Sequence, residues 1–193
     1  ELATWYAFNT DVFGIAKALT ERLTRLPEKV LILGSGATAK SAVAAAAMLG
    51  YREVHVWARN TIAVGRIVAL ATSLGIKIKP ERSIRAAKAA DTLVISTLPA
   101  GAFAEYQASL SGGLMKRGIR STLLDVAYAA TAGSPAETWA AAGRPVIHGI
   151  DMLIWQAVAQ LRIFLNGSPD VELDNEAAVV AAMRHDLEQL EAN

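Results

Sequence analysis

The sequence contains no cysteine and only three histidines. The absence of cysteine excludes disulfides, thiolate metal ligands and cysteine nucleophiles, and it is typical of a cytoplasmic protein. No two histidines have the H-E-x-x-H spacing of a zinc site, and the G-x-S-x-G motif of serine hydrolases is missing. We therefore predict neither a metal site nor a serine-hydrolase site.

Long apolar runs and charge excess are missing as well. The most apolar stretches, Ser41–Tyr51 and Thr92–Ala104, are well short of the ~20 residues that a membrane span needs, and no signal peptide is visible. The formal net charge is +1, without a basic run, so we expect no membrane and no nucleic-acid partner. The 193 residues, 53% of them hydrophobic, suffice for a domain with a real core. Because the chain begins with Glu1, we expect a fragment or a processed form.

A glycine motif follows the first apolar run. Val30–Leu33 predicts a strand, and an alanine-rich helix is predicted at Ala37–Leu49. Between them the sequence matches G-x-G-x-x-A at Gly34, Gly36 and Ala39. In this motif the first glycine makes the turn, the second lets a pyrophosphate approach the backbone, and the third small residue lets helix and strand pack closely. The pattern predicts a dinucleotide site at a helix N-terminus.

Short apolar runs alternate with helical segments along most of the chain. This alternation predicts βαβ units in a three-layer, Rossmann-like, doubly wound parallel α/β sheet of about six strands, order 3-2-1-4-5-6, with extra flanking helices. The predicted strands are Val30–Leu33, Val54–Trp57, Ile76–Ile78, Thr92–Ser96, Thr122–Asp125 and Pro145–Ile147. The predicted helices are Asp11–Leu23, Ala37–Leu49, Thr61–Leu74, a weak turn near Ser83–Ala89, Phe103–Leu110, Pro135–Ala142, Ile150–Leu165 and Asn175–Glu191. We divide the chain into a hinge helix at 1–26, a Rossmann domain at 27–150 and C-terminal helices at 151–193.

The end of the second predicted strand indicates the type of cofactor. An NAD site usually has an acidic residue there for the ribose hydroxyls. This sequence has no acid between Val54 and Thr61 and has Arg59 instead. A guanidinium can pair with a 2′-phosphate, which favours NADP. An ordinary surface arginine is the alternative.

Further motifs extend this pattern over nearly the whole chain. They are Asn9-Thr10-Asp11-x-x-Gly14, Gly34–Lys40, Ala58-Arg59-Asn60, Ser96-x-x-Pro99-x-Gly101, Asp125-x-x-Tyr128 and Gly149-x-x-Met152-Leu153-x-x-Gln156-Ala157. Together they resemble the C-terminal part of shikimate dehydrogenases of an actinobacterial type. The first and last motifs are specific, whereas the others are shared with many Rossmann proteins.

The resemblance implies an oxidoreductase that reversibly reduces 3-dehydroshikimate to shikimate with NADPH, in the chorismate pathway of aromatic amino-acid biosynthesis. It implies that Asp11 binds substrate and takes part in proton transfer, and that Tyr128 and Gln156 bind substrate. The cofactor-binding residues that it implies are Gly34, Ser35, Gly36, Ala37, Thr38, Ala39, Arg59, Asn60, Thr97, Leu98, Pro99, Val126, Gly149 and Met152. In chemical terms, a carboxylate can orient a hydroxyl or move a proton, and an amide can both donate and accept. The alternatives are that Asp11 only complements the helix dipole and that Gln156 is only a polar residue on a packed helix.

The sequence also departs from the family. The loop Ser96–Ala102 replaces Asn-Ala-Thr-Pro-x-Gly-Met, and Ala129–Ser134 replaces a proline-rich turn. An expected arginine near Ala63 is missing, although Arg66 lies one turn later. The family's serine pair, catalytic lysine and asparagine do not occur before Asn9.

In the family these residues lie on a substrate domain that precedes this segment, and the resemblance implies that this domain is absent from the chain. We therefore predict that the chain alone is inactive, and that residues 151–193, which would normally return to that domain, expose an apolar face that favours a homodimer. The alternative functions are a quinate/shikimate dehydrogenase and a non-catalytic Rossmann nucleotide-binding module.

Overall fold

The structure is a computed structural model that describes residues 4–83, 91–99, 101–104, 120–128 and 133–191. The strands within these residues are β1 (Lys29–Leu33), β2 (Glu53–Trp57), β3 (Lys77–Glu81), β4 (Asp91–Ser96), β5 (Arg120–Asp125) and β6 (Val146–His148). The helices within them are α1 (Thr10–Arg22), α2 (Ala37–Met48), α3 (Thr61–Ser73), α4 (Pro135–Ala141), α5 (Gly149–Asn166) and α6 (Glu176–Glu191). The predicted segments Ser83–Ala89 and Phe103–Leu110 lie largely outside the described residues.

The strands form one parallel sheet in the order β3-β2-β1-β4-β5-β6. This order confirms the predicted Rossmann-like fold. From β1 the sheet grows through β2 and β3 toward one edge, and from β4 it grows through β5 and β6 toward the other. The two halves meet at β1 and β4, which are parallel and whose register runs from Lys29↔Thr92 to Leu33↔Ser96. Ligands of such sheets bind at the carboxyl ends of the strands beside this switch point.

The edge strand β3 is where the strand prediction was least accurate. The apolar run predicted Ile76–Ile78, but β3 covers Lys77–Glu81 and pairs with β2 over its full length. Pro80 is accommodated because an edge strand has one side without hydrogen-bonding neighbours. The other differences are small: β5 starts at Arg120, and β6 lies one residue later than predicted.

Both faces of the sheet are covered. In β1, Val30 and Ile32 pack with α1, α2 and α3, whereas Leu31 and Leu33 pack on the opposite face with Trp139 of α4. Alternation along a strand that is buried on both faces explains why β1 is a continuous apolar run. The core of the first face also contains Met152 at the start of α5.

Helices α1, α5 and α6 are joined by ion pairs. Arg22 donates to both carboxylate oxygens of Asp151, at 3.1 and 2.6 Å. Arg184 of α6 lies 2.6 Å from Glu21 and 3.6 Å from Asp151. Asp151 stands in the first turn of α5, where a carboxylate complements the helix dipole. These contacts fix the C-terminal end of α1 against the start of α5.

In the described part of the chain, no helix has the length and apolar character needed to span a bilayer.

Large apolar side chains are exposed on and around the C-terminal helices. The exposed ones include Leu153, Phe164, Leu165 and Val171.

Candidate functional site

A cleft of about 240 Å³ opens at the carboxyl ends of β1, β2 and β4. It is lined by Gly34, Ser35, Gly36, Trp57, Ala58, Arg59, Asn60, Thr97, Leu98 and Pro99. All of these except Trp57 and Ala58 were predicted to bind the cofactor. The position of these two directly before Arg59, at the end of a predicted strand, was the signal that could have identified them.

The loop after β1 is built around Gly34. Its φ is +119°, a conformation that side chains disfavour, and a Cβ there would collide with the hydroxyl of Thr97. The Gly34 amide donates to the Trp57 carbonyl at 2.8 Å, and the Thr97 hydroxyl donates to the Leu33 carbonyl at 2.8 Å. The ends of β1, β2 and β4 are thus tied together at the floor of the cleft.

The N-terminus of α2 faces this cleft. Its N-cap, Gly36, is exposed, and a Cβ there would meet no atom within 4 Å. Ala37 and Thr38 continue the first turn at the surface, whereas Ala39 is fully buried against the sheet. The first turn contains no acidic residue. Backbone amides and the positive end of the helix dipole therefore meet open space, which is the geometry that phosphate groups require.

Arg59 and Asn60 form the rim after β2, and both are exposed. Asn60 caps α3, because its Oδ1 accepts the Ala63 amide at 3.1 Å. Its Nδ2 group is therefore the part that can donate to a ligand. None of the ten described lining residues is acidic, and Arg59 is the cationic one among them. The rim thus favours a dianionic phosphate over a ribose diol.

Val126, Gly149 and Met152 lie beyond this cleft, at the junction of β5 and α5. A Cβ on Gly149 would lie 2.5 Å from the Val126 carbonyl oxygen, so glycine allows α5 to start directly against the loop after β5. Met152 is buried in the core. The cofactor contacts of these three residues stay predictions.

Asp125 holds the loop that contains Val126. Its carboxylate is buried and accepts the Ala136 amide at 3.3 Å and the Ala127 amide at 3.5 Å. Burial raises the pKa of Asp125, although these amides act in the opposite direction. Asp125 therefore has a structural partner on α4 rather than an open face to a ligand.

The first and last motifs of the sequence meet at a second point. The Gln156 side-chain amide of α5 donates to the carboxylate of Asp11 in α1. Asn9 caps α1, because its Oδ1 accepts the Asp11 amide at 3.0 Å, and its Nδ2 donates to Ser41 of α2 at 3.1 Å. The structure therefore brings Asp11 and Gln156 together and links them to the helix that faces the cleft.

Tyr128 is 72% exposed on the loop after β5, and its substrate contact stays a prediction. Among the described residues, no group of three or more histidine, aspartate and glutamate side chains could hold a metal ion.

Comparison with known proteins gives a consistent set of relatives, although no family model matches the chain. An NADP(+) shikimate dehydrogenase of Citrifermentans bemidjiense is 32% identical over 171 residues, which cover 84% of this chain and 58% of that protein. The crystal structure of Mycobacterium tuberculosis shikimate dehydrogenase matches with a TM-score of 0.68 and 32% identity, over 90% of this chain and 62% of that one. A shikimate 5-dehydrogenase structure from Mycobacterium fortuitum matches with a TM-score of 0.70 and 30% identity, over 91% of this chain and 60% of that one.

The chain spans 58% of the length of the first curated relative and about as much of the structural ones. The sequence comparison and the fold comparison therefore point to the same kind of protein. These relatives consistently are shikimate dehydrogenases, and the chain matches the C-terminal portion of them.

Proposed function

We propose that the chain is the NADP-binding part of a shikimate dehydrogenase, an oxidoreductase that interconverts 3-dehydroshikimate and shikimate. The cleft carries this proposal: a positive-φ glycine loop, an open helix N-terminus and an arginine converge at one edge of the sheet. The name of the Citrifermentans bemidjiense relative specifies NADP(+), and the arginine-bearing rim has the charge that a 2′-phosphate requires.

The proposed binding mode follows from the lining residues. The amides of the first turn of α2 bind the pyrophosphate, and Gly36 leaves room for it to approach the backbone. Arg59 pairs with the 2′-phosphate, while the Nδ2 group of Asn60 donates to the same group. When bound, the reduced cofactor would supply the hydride for ketone reduction, and the oxidised cofactor would accept the hydride in the reverse reaction.

Asp11 and Gln156 are proposed to act on the substrate. A carboxylate at Asp11 can accept a hydrogen bond from a ring hydroxyl and can assist the proton transfer that accompanies ketone reduction. Gln156 holds this carboxylate through its side-chain amide, and its amide oxygen remains an acceptor for a second hydroxyl. Tyr128 is proposed to contact the same substrate.

We further propose the division into a hinge helix (1–26), an NADP-binding domain (27–150) and C-terminal helices (151–193). We also propose a homodimer, because Leu153, Phe164 and Leu165 are exposed apolar side chains. Light scattering after gel filtration would measure this oligomeric state. The proposed location of the protein is the cytoplasm. We do not expect nucleic acid to bind, since the net charge is +1.

Calorimetric titration of the chain with NADP⁺ and NAD⁺ tests the proposed site. We expect NADP⁺ to bind at least about tenfold more tightly, because a 2′-phosphate–guanidinium contact contributes more than about 1.4 kcal/mol. Equal affinities, or no binding at millimolar concentration, would remove the basis for the proposal. A parallel assay of shikimate oxidation by these 193 residues is expected to show no turnover.

A further inference from the structure

Gly14 lies in the second turn of α1, where this helix crosses α5, and it is buried. A Cβ on Gly14 would lie 2.7 Å from the Cγ of Gln156 and 2.7 Å from the carbonyl oxygen of Met152. Real Cβ atoms essentially never approach other atoms so closely, and one of these two atoms is backbone. A larger residue at this position would therefore force α1 and α5 apart.

The separation of the two helices matters because of the side chains that they carry. Asp11 stands three residues before Gly14, on the same face of α1. Gln156 supplies both the Cγ that a Cβ at position 14 would strike and the amide that donates to Asp11. The close crossing and the hydrogen bond are therefore parts of one contact.

A second helical glycine provides a contrast. Gly65 lies within α3, and a Cβ there would meet no atom within 4 Å. Glycine disfavours helix formation, so a glycine inside a helix needs a reason such as close packing. Gly14 has that reason at the α1–α5 crossing, whereas the surroundings of Gly65 provide none.

We propose that Gly14 is a positioning residue for the Asp11–Gln156 pair. It sets the distance between α1 and α5 at which Gln156 holds the carboxylate of Asp11. The proposal rests on the proposed function only in that this pair is taken to contact the substrate, because the geometry itself does not involve the NADP cleft.

The test follows the side-chain NH₂ resonance of Gln156 by NMR of the ¹⁵N-labelled chain, with Gln156→Leu to assign it. Asp11→Ala removes the acceptor, and it therefore defines the chemical shift of the unbonded amide. Gly14→Ala should move the resonance to that unbonded position. Gly65→Ala should leave it at the wild-type position. A Gly14→Ala chain that keeps the wild-type resonance would overturn the proposal.

Loss of stability alone is separated from positioning by Leu19→Ala. Leu19 is a fully buried residue of α1, so its truncation destabilises the fold without placing an atom at the crossing. We expect this variant to keep the wild-type Gln156 resonance. If Leu19→Ala moved the resonance as far as Gly14→Ala does, general loosening rather than positioning would be the cause.

Two further measurements test the positioning role of Gly14. If Gly14→Ala does not fold, the wild-type chain should show a nuclear Overhauser effect between the Gly14 Hα and Gln156 Hγ protons, and its absence would overturn the proposal. Where the variant folds, NADP⁺ titration should give an unchanged affinity, because Gly14 is not a lining residue of the cleft. Failure of the wild-type chain to bind NADP⁺ would count against the proposed function and leave the positioning role intact.

Discussion

The side-chain amide of Gln156 donates to the carboxylate of Asp11 across 145 positions of the chain. This hydrogen bond joins the two most specific motifs of the sequence, one on α1 and the other on α5. Neither residue lines the cleft at the carboxyl ends of β1, β2 and β4. Asn9, which caps α1 and donates to Ser41 of α2 at 3.1 Å, links the pair to the helix whose N-terminus faces that cleft.

Gln156→Glu should place a second carboxylate beside that of Asp11, so that the two side chains repel each other. Two carboxylates in hydrogen-bond range disfavour joint ionisation, so we expect about 1–3 kcal/mol less stability at pH 7. The loss should shrink on acidification, because protonation of either carboxyl restores a donor. Urea unfolding at pH 7 and pH 4 measures this. Gln160→Glu is the matched control, since Gln160 is exposed one turn later on α5. If Gln156→Glu and Gln160→Glu lowered the stability equally, the result would contradict the hydrogen bond between Gln156 and Asp11.

Arg59→Met should lower NADP⁺ affinity by about 10- to 100-fold, because a charged hydrogen bond to the 2′-phosphate is lost. NAD⁺, which lacks that phosphate, should bind as before. Arg52→Met is the control: this arginine is also exposed but directly precedes β2, at the opposite end of the strand. Calorimetric titration measures both ligands. A parallel loss of NAD⁺ affinity would show that Arg59 does not act on the 2′-phosphate.

Gly34→Ala should abolish NADP⁺ binding and destabilise the chain. The positive φ alone costs about 1–2 kcal/mol for a residue with a Cβ, and the collision with Thr97 adds to this cost. Gly50→Ala measures the cost of the positive φ alone, because Gly50 has φ +91° but open space around it. Thermal unfolding and NADP⁺ titration of both variants would compare them. If Gly34→Ala bound NADP⁺ as tightly as Gly50→Ala does, the loop after β1 would not be part of the NADP site.

Glu176 is held by Arg162, whose Nε and Nη2 donate to its two oxygens at 2.6 and 2.5 Å. The arginine side chain is 3% exposed, and it also donates to the Pro169 carbonyl. Removing one partner of such a buried pair costs about 3–5 kcal/mol, which we expect for Glu176→Ala in urea unfolding at pH 7. Glu188→Ala, an exposed site on α6, should change stability little.

The same pair predicts a pH dependence. The hydrogen bonds from Arg162 lower the pKa of Glu176 below its ordinary value of 4.5. A lowered folded-state pKa contributes stability above that ordinary value and loses it as the pH falls through the folded value. Wild type should therefore lose stability below pH 4.5 more steeply than Glu176→Ala. Parallel curves of stability against pH would contradict this assignment.

The sequence predicted the parts of the fold that depend on buried parallel strands. β1 is apolar throughout because both of its faces are covered, so its end and the glycine turn after it could be located. Arg59 could be placed in the cleft because it follows such a strand. β3 was harder to place: as an edge strand it contains lysines and Pro80, and hydrogen bonding to β2 decides its extent.

The contact between Gly14 and Gln156 could not be predicted from local patterns. It depends on how closely α1 packs against α5, which is a tertiary contact, and the Arg22–Asp151 ion pair is another contact between the same two helices. The resemblance named Gly14 within a motif without giving a reason for the glycine. The structure provides that reason as a close approach of two helices.

Amide mapping by NMR tests whether dinucleotide phosphates bind at the N-terminus of α2. On addition of NADP⁺ to the ¹⁵N-labelled 20.4 kDa chain, we expect the largest chemical-shift changes at Ser35, Gly36, Ala37 and Thr38, with further changes at Arg59 and Asn60. Amides of α6 should be unaffected. Chemical-shift changes centred away from the Gly34–Ala39 loop, or none at saturating NADP⁺, would contradict binding at this helix N-terminus.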